Sequence, residues 1–82
     1  MKKYQPINCE FHDVIESYAT RREAVDLVVV DPAEVNRTIR TVVCDVYSRN
    51  GEEFLLTDGG KKIRLDQVKS IGSYDLASFG EP

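Results

Sequence analysis

Val42-Val43-Cys44-Asp45-Val46-Tyr47-Ser48-Arg49-Asn50-Gly51-Glu52-Glu53-Phe54-Leu55-Leu56-Thr57 carries the strongest short hairpin signal in the chain. Asn50-Gly51 separates two segments rich in β-branched and aromatic residues, and both turn residues tolerate the positive φ that a two-residue hairpin demands. Residues 52–57 are therefore a returning strand. Upstream, residues 35–48 form one long β-type run in which Val35, Ile39 and Val43 share one parity and Val42, Cys44 and Val46 the other. Successive side chains of a strand face opposite sides, so a bend or bulge near Arg40 and Thr41 is expected to reconcile the two sets.

Downstream, Asp58-Gly59-Gly60 marks a second turn, after which residues 61–66 alternate polar side chains with Ile63 and Leu65. Asp66 and Gln67 allow a tight turn before a last strand over 68–74, with Val68 and Ile71 as core contacts. On the other side, the valine-rich stretch 24–31 gives a first strand, closed by Asp31-Pro32 because proline has no amide hydrogen for a ladder. Before it the period changes. Phe11, Val14, Ile15, Tyr18 and Ala19 recur at helical spacing, predicting an amphipathic helix over 9–22 with Asn8 as its N-cap. Glu10 and Asp13 near its start and Arg21 and Arg22 near its end complement the helix dipole. Residues 1–8 read as an extended lead and 75–82 as a flexible tail.

These elements predict a single domain over residues 1–82, mainly β with one N-terminal helix. Five short antiparallel strands over 23–74 would leave two long edges in a flat sheet, and closure removes them. A small five-stranded Sm-like or SH3-like barrel, with the helix across one open end, is the expected architecture.

Eleven Lys and Arg against fourteen Asp and Glu give a net charge of −3. That is the wrong sign for a general phosphate binder, whose affinity comes from cations that displace counterions. Direct nucleic-acid binding is not expected, although Lys61, Lys62, Arg64 and Lys69 would form a local basic patch for an alternative role as an RNA-binding module. No apolar run approaches membrane-spanning length, and the two lysines near the amino terminus are not followed by an apolar segment, so a cytoplasmic location is expected.

Cys9 and His12 are spaced like half of a metal site, but Cys44 is the one other cysteine and no second histidine completes the set. No metal, cofactor or disulfide is expected. Cys9, His12 and Asp13 on one helix also make a poor nucleophile, base and orienter, because catalytic groups normally converge from separate elements onto a cleft. The chain is not expected to be an enzyme. The remaining constellation is acidic: Glu10, Asp13 and Glu16 recur every three residues with no cation before Arg21, forming a stripe that suits a cationic groove on another protein.

The opening Tyr4-Gln5-Pro6-Ile7-Asn8-Cys9, followed at once by an acid and an amphipathic helix, resembles the start of the bacterial Rof proteins, inhibitors of the transcription termination factor Rho. Ser48-Arg49, Glu53-Phe54-Leu55-Leu56, and Ile63-Arg64-Leu65-Asp66 with Ile71 are similar to that family's barrel, so the likeness runs from Tyr4 to about Tyr74. Phe11 and the 31–36 connection depart from it. The resemblance implies an Sm-like fold and a non-catalytic role, in which the protein binds Rho's RNA-loading N-terminal domain and blocks its primary RNA site, causing antitermination. It also implies a contact set of Glu10, Asp13 and Glu16 together with Asn8, Cys9 and His12.

Overall fold

The computed structural model describes residues 3–31 and 33–79. They form a small, mainly β domain with one α-helix ahead of a six-stranded antiparallel sheet. The helix α1 (Cys9–Arg21) begins where Asn8 Oδ1 accepts from the amides of Glu10 at 2.8 Å and Phe11 at 3.4 Å. It ends one residue earlier than its periodicity suggests. Arg22 adopts a left-handed conformation (φ 54°, ψ 41°) and returns its amide to Tyr18 O at 2.9 Å, which satisfies an end carbonyl. The apolar stripe behaves as its spacing requires: Phe11 and Ile15 are fully buried, with Val14, Tyr18 and Ala19 packed beside them.

The strands are β1 (Ala24–Val30), β2 (Asn36–Arg49), β3 (Glu52–Thr57), β4 (Lys62–Arg64), β5 (Val68–Ile71) and β6 (Tyr74–Asp75), in the spatial order β4-β3-β2-β1-β5-β6. The 14-residue β2 serves two partners. Its first half pairs with β1, from Val30↔Asn36 to Ala24↔Val42, and its second half pairs with β3, from Val43↔Thr57 to Arg49↔Glu52. Between β2 and β3, Asn50 and Gly51 both have positive φ, 54° and 78°, as the hairpin signal requires. The register break expected at Arg40 and Thr41 lies instead between Val43 and Asp45, with Cys44 as the inserted residue. Before it Thr41 and Val43 face inward; after it Val46 does, and the parity conflict is resolved where β2 changes partner. Cys44 is accordingly half-exposed, and Val35 is 51% exposed in the turn before β2.

The expected five strands become six because the segment 68–74 breaks at Gly72. That glycine has φ 59°, donates its amide to Asp26 O at 2.9 Å, and passes so close to Tyr18 that a Cβ would lie 2.7 Å from the hydroxyl. The chain then folds back, pairing Ile71↔Tyr74 and Ser70↔Asp75. β4 is shorter than the alternation over 61–66 predicts, because Leu65–Gln67 form a 3-10 turn. Among the described residues β4 and β6, the two ends of the order, are not paired to each other, so the sheet is not closed as a five-stranded barrel.

The segment expected to be a flexible tail is structured as far as Phe79. Asp75 caps a 3-10 turn, Leu76–Ser78, through the amide of Ala77 at 3.0 Å. The Phe79 ring meets Phe11 edge-on at 5.4 Å, and Phe79 O accepts from Asn8 Nδ2 at 2.8 Å. Thus the residues just before α1 and those after β6 clamp each other. Residues 1, 2, 32 and 80–82, on which parts of the lead, the Asp31-Pro32 stop and the tail fall, lie outside the described residues.

Candidate functional site

Burial of Phe11 and Ile15 fixes the rotation of α1, and the acids follow from it. Glu10, Asp13 and Glu16 are all exposed, and Glu10 and Asp13 make no ion pair among the described residues. The three acids that spacing sets along the helix are therefore all in solvent, and Asp13 and Glu16 stand close to each other.

The sheet adds a fourth carboxylate. Glu53 has the same strand parity as the buried Leu55, but near the hairpin end of β3 that side is covered by α1 rather than by core. His12 sits between the two elements: Nε2 lies 2.7 Å from Glu53 Oε2 and Nδ1 lies 2.9 Å from Glu16 Oε1. Nε2 is enclosed and, despite that short approach, makes no hydrogen bond of acceptable geometry among the described residues. The other oxygen of Glu53 accepts from the Tyr4 hydroxyl at 3.0 Å. Burial, then the hydrogen bond and negative charge of Glu53, raise the Tyr4 pKa well above the ordinary phenol value.

Behind this contact the lead is pinned a second time. Arg64 is 6% exposed and meets Asp66 through two bonds, Nε to Oδ1 at 2.9 Å and Nη2 to Oδ2 at 2.6 Å, with Glu52 3.7 Å from Nη1. The Asp66 hydrogen bonds hold the guanidinium still more firmly protonated. Its Cζ lies 5.6 Å from the centre of the Tyr4 ring, and Asp66 Oδ2 also accepts from the Gln5 amide at 3.0 Å. Arg64 is thereby withdrawn from the basic patch suggested by composition and serves as structural cement under the lead.

Of the six candidate contact residues, Glu10, Asp13, Glu16 and Cys9 are exposed on or beside the helix face. Asn8 is committed to capping and to Phe79, and His12 bridges to Glu16 and Glu53. Ile7, Cys9, His12, Asp13 and Glu53 line an open hollow of about 270 Å³ beside the carboxylates. Sequence spacing could not supply Glu53, since its place at α1 is a long-range outcome. Ligand atoms of His12, Asp13 and Glu16 lie within 4.8 Å of one another, close enough to share a cation. Both nitrogens of His12 face carboxylates, Nδ1 that of Glu16 and Nε2 that of Glu53. Comparison with family models, with curated proteins and with solved structures finds no match.

Proposed function

We propose that the chain is a non-catalytic, cytoplasmic protein inhibitor. It lays the acidic face of α1 on the RNA-loading N-terminal domain of Rho, blocks the primary RNA site and so causes antitermination. The observation that carries this reading is the set of exposed carboxylates, Glu10, Asp13 and Glu16, extended across to β3 by Glu53 with His12 as the one interposed base. Such a surface imitates a run of phosphates for a groove built to attract RNA, and complementary charge speeds encounter and selects the partner.

The fold reading belongs with it. The order β4-β3-β2-β1-β5-β6, the long β2 shared between two partners, and the short 3-10 turn joining β4 to β5 support an Sm-like arrangement of strands with a helix packed on it, left open between β4 and β6 among the described residues. Purified chain and the Rho N-terminal domain test the proposal directly. Binding should weaken as salt rises, and a pyrimidine-rich RNA should compete with it. Simultaneous binding of RNA and chain to the same domain would overturn it.

A further inference from the structure

On the face of the β2–β3 hairpin opposite Leu55 and Glu53, Tyr47 and Phe54 stand directly across from each other. Their rings stack with centroids 5.5 Å apart and planes 23° apart. A cross-strand aromatic pair alone would be an ordinary hairpin contact, but this one is flanked by cations. Lys62 Nζ lies 5.9 Å from the Phe54 ring centre, and Arg49 is two residues beyond Tyr47 on the same face. With Asn50 and Glu52 these residues line an open hollow of about 380 Å³, within the range of small-ligand clefts, roughly 300–1,000 Å³.

The charges around it are unevenly spent. Arg37 is paired with Asp31, Arg40 with Asp26 and Arg64 with Asp66, whereas Arg49 and Lys62 are exposed and make no ion pair among the described residues. The hollow's own carboxylate, Glu52, lies 3.7 Å from Arg64. Among the described residues no strand pairs with β2 on the side of Tyr47 away from Phe54, because β1 pairs with β2 only as far as Val42.

We propose that this face binds a nucleotide unit, with the base stacked on the Tyr47–Phe54 pair and the phosphate held by Arg49 and Lys62. The combination decides the ligand class. A bare anion would not use the rings, an apolar peptide would not use the cations, and an acidic peptide offers charge without a flat aromatic surface. Nucleobases stacked on aromatic side chains with phosphates on nearby cations use both. The net charge of −3 does not exclude this, because the acidic face lies on the other side of β3, where neighbouring Glu53 and Phe54 point in opposite directions. The proposal is independent of the role given to α1, and its test needs no partner protein.

The same chemistry is offered by a free nucleotide and by a nucleotide within a single strand. Amide shifts of the isotope-labelled full chain should be followed during titration with UMP, ribose 5-phosphate, an octauridylate and an oligo-aspartate. UMP should move Tyr47, Arg49, Phe54 and Lys62 in a saturable way, with ribose 5-phosphate weaker by about fivefold or more because stacking is lost. Octauridylate binding beyond the statistical gain of repeated units assigns the site to a strand, and binding equal to that gain assigns it to the free nucleotide. The exposed pair Arg49→Gln and Lys62→Gln, which leaves the core untouched, should weaken UMP and flatten its salt dependence. Absence of saturable shifts with UMP and octauridylate would overturn the proposal. So would equal binding of oligo-aspartate or ribose 5-phosphate, or wild-type affinity in the double variant.

Discussion

His12 Nε2 lies 2.7 Å from Glu53 Oε2, and through that contact one imidazole ties the helix to the hairpin while placing a fourth carboxylate beside the acidic stripe. The same carboxylate accepts from Tyr4, so lead, helix and sheet meet at a single side chain. Any partner that recognises the negative face thus meets a surface built from three parts of the chain.

If that face binds a cationic groove, Asp13→Lys with Glu16→Lys turns attraction into repulsion without touching the apolar side of Phe11 and Ile15. Exposed charge changes usually alter stability by under about 0.5 kcal/mol each, whereas like charges opposed at an interface cost several kcal/mol. Rho binding should fall by about a hundredfold or more while the melting temperature shifts by only a few degrees. Unchanged binding and unchanged termination in vitro would reduce the stripe to a solvated surface.

Tyr4 predicts a loss of stability in alkali. Its folded pKa is raised above the unfolded value, chiefly by burial and then by Glu53, so the folded chain keeps the phenolic proton longer. The contribution is complete below the unfolded tyrosine pKa, near 10, and declines as pH rises above it, because there the unfolded state ionises and the folded one resists. Tyr4→Phe should remove this alkaline slope. Denaturant midpoints of both proteins between neutral and strongly alkaline pH measure it, and identical slopes would count against the assignment.

Removing Asp66 should expose how the lead is held. Asp66→Ala leaves Arg64, 6% exposed, with the more distant Glu52 as its remaining carboxylate and releases the Gln5 amide. Breaking one side of a buried ion pair typically costs about 3–5 kcal/mol. A value near the lower end is expected, since Glu52 compensates in part. The double change Arg64→Met with Asp66→Leu should cost less than the sum of the two single changes, as a double-mutant cycle in denaturant would reveal.

Gly72→Ala combines two penalties, a residue with φ 59° and a Cβ 2.7 Å from the Tyr18 hydroxyl. The left-handed conformation alone costs about 1–2 kcal/mol. Adding Tyr18→Phe should recover the hydroxyl's part of the steric share, leaving the 3.3 Å approach to Val25 and the backbone share. If Tyr18→Phe gives no recovery in thermal melts, the close approach is not what fixes the turn between β5 and β6.

Local chemistry determined much of this protein from sequence alone. Asn8 caps the helix, the spacing of Phe11 and Ile15 orients it, and that orientation leaves Glu10, Asp13 and Glu16 in solvent. Asn50-Gly51 sets the hairpin because its two positive φ values are a property of those two residues. The other features needed partners distant in the chain. The bulge sits at Cys44, not near Arg40, because the register of β2 is set by β1 on one half and β3 on the other. The last strand divides at Gly72, whose φ of 59° turns the chain back and whose missing Cβ leaves room for the Tyr18 hydroxyl of the helix. Residues 75–79 are ordered because Phe79 finds Phe11 and Asn8. Arg64 becomes a buried anchor and Glu53 a neighbour of His12 only when the lead and helix pack on the sheet. Periodicity reports which face a side chain takes, whereas long-range packing decides what it meets there.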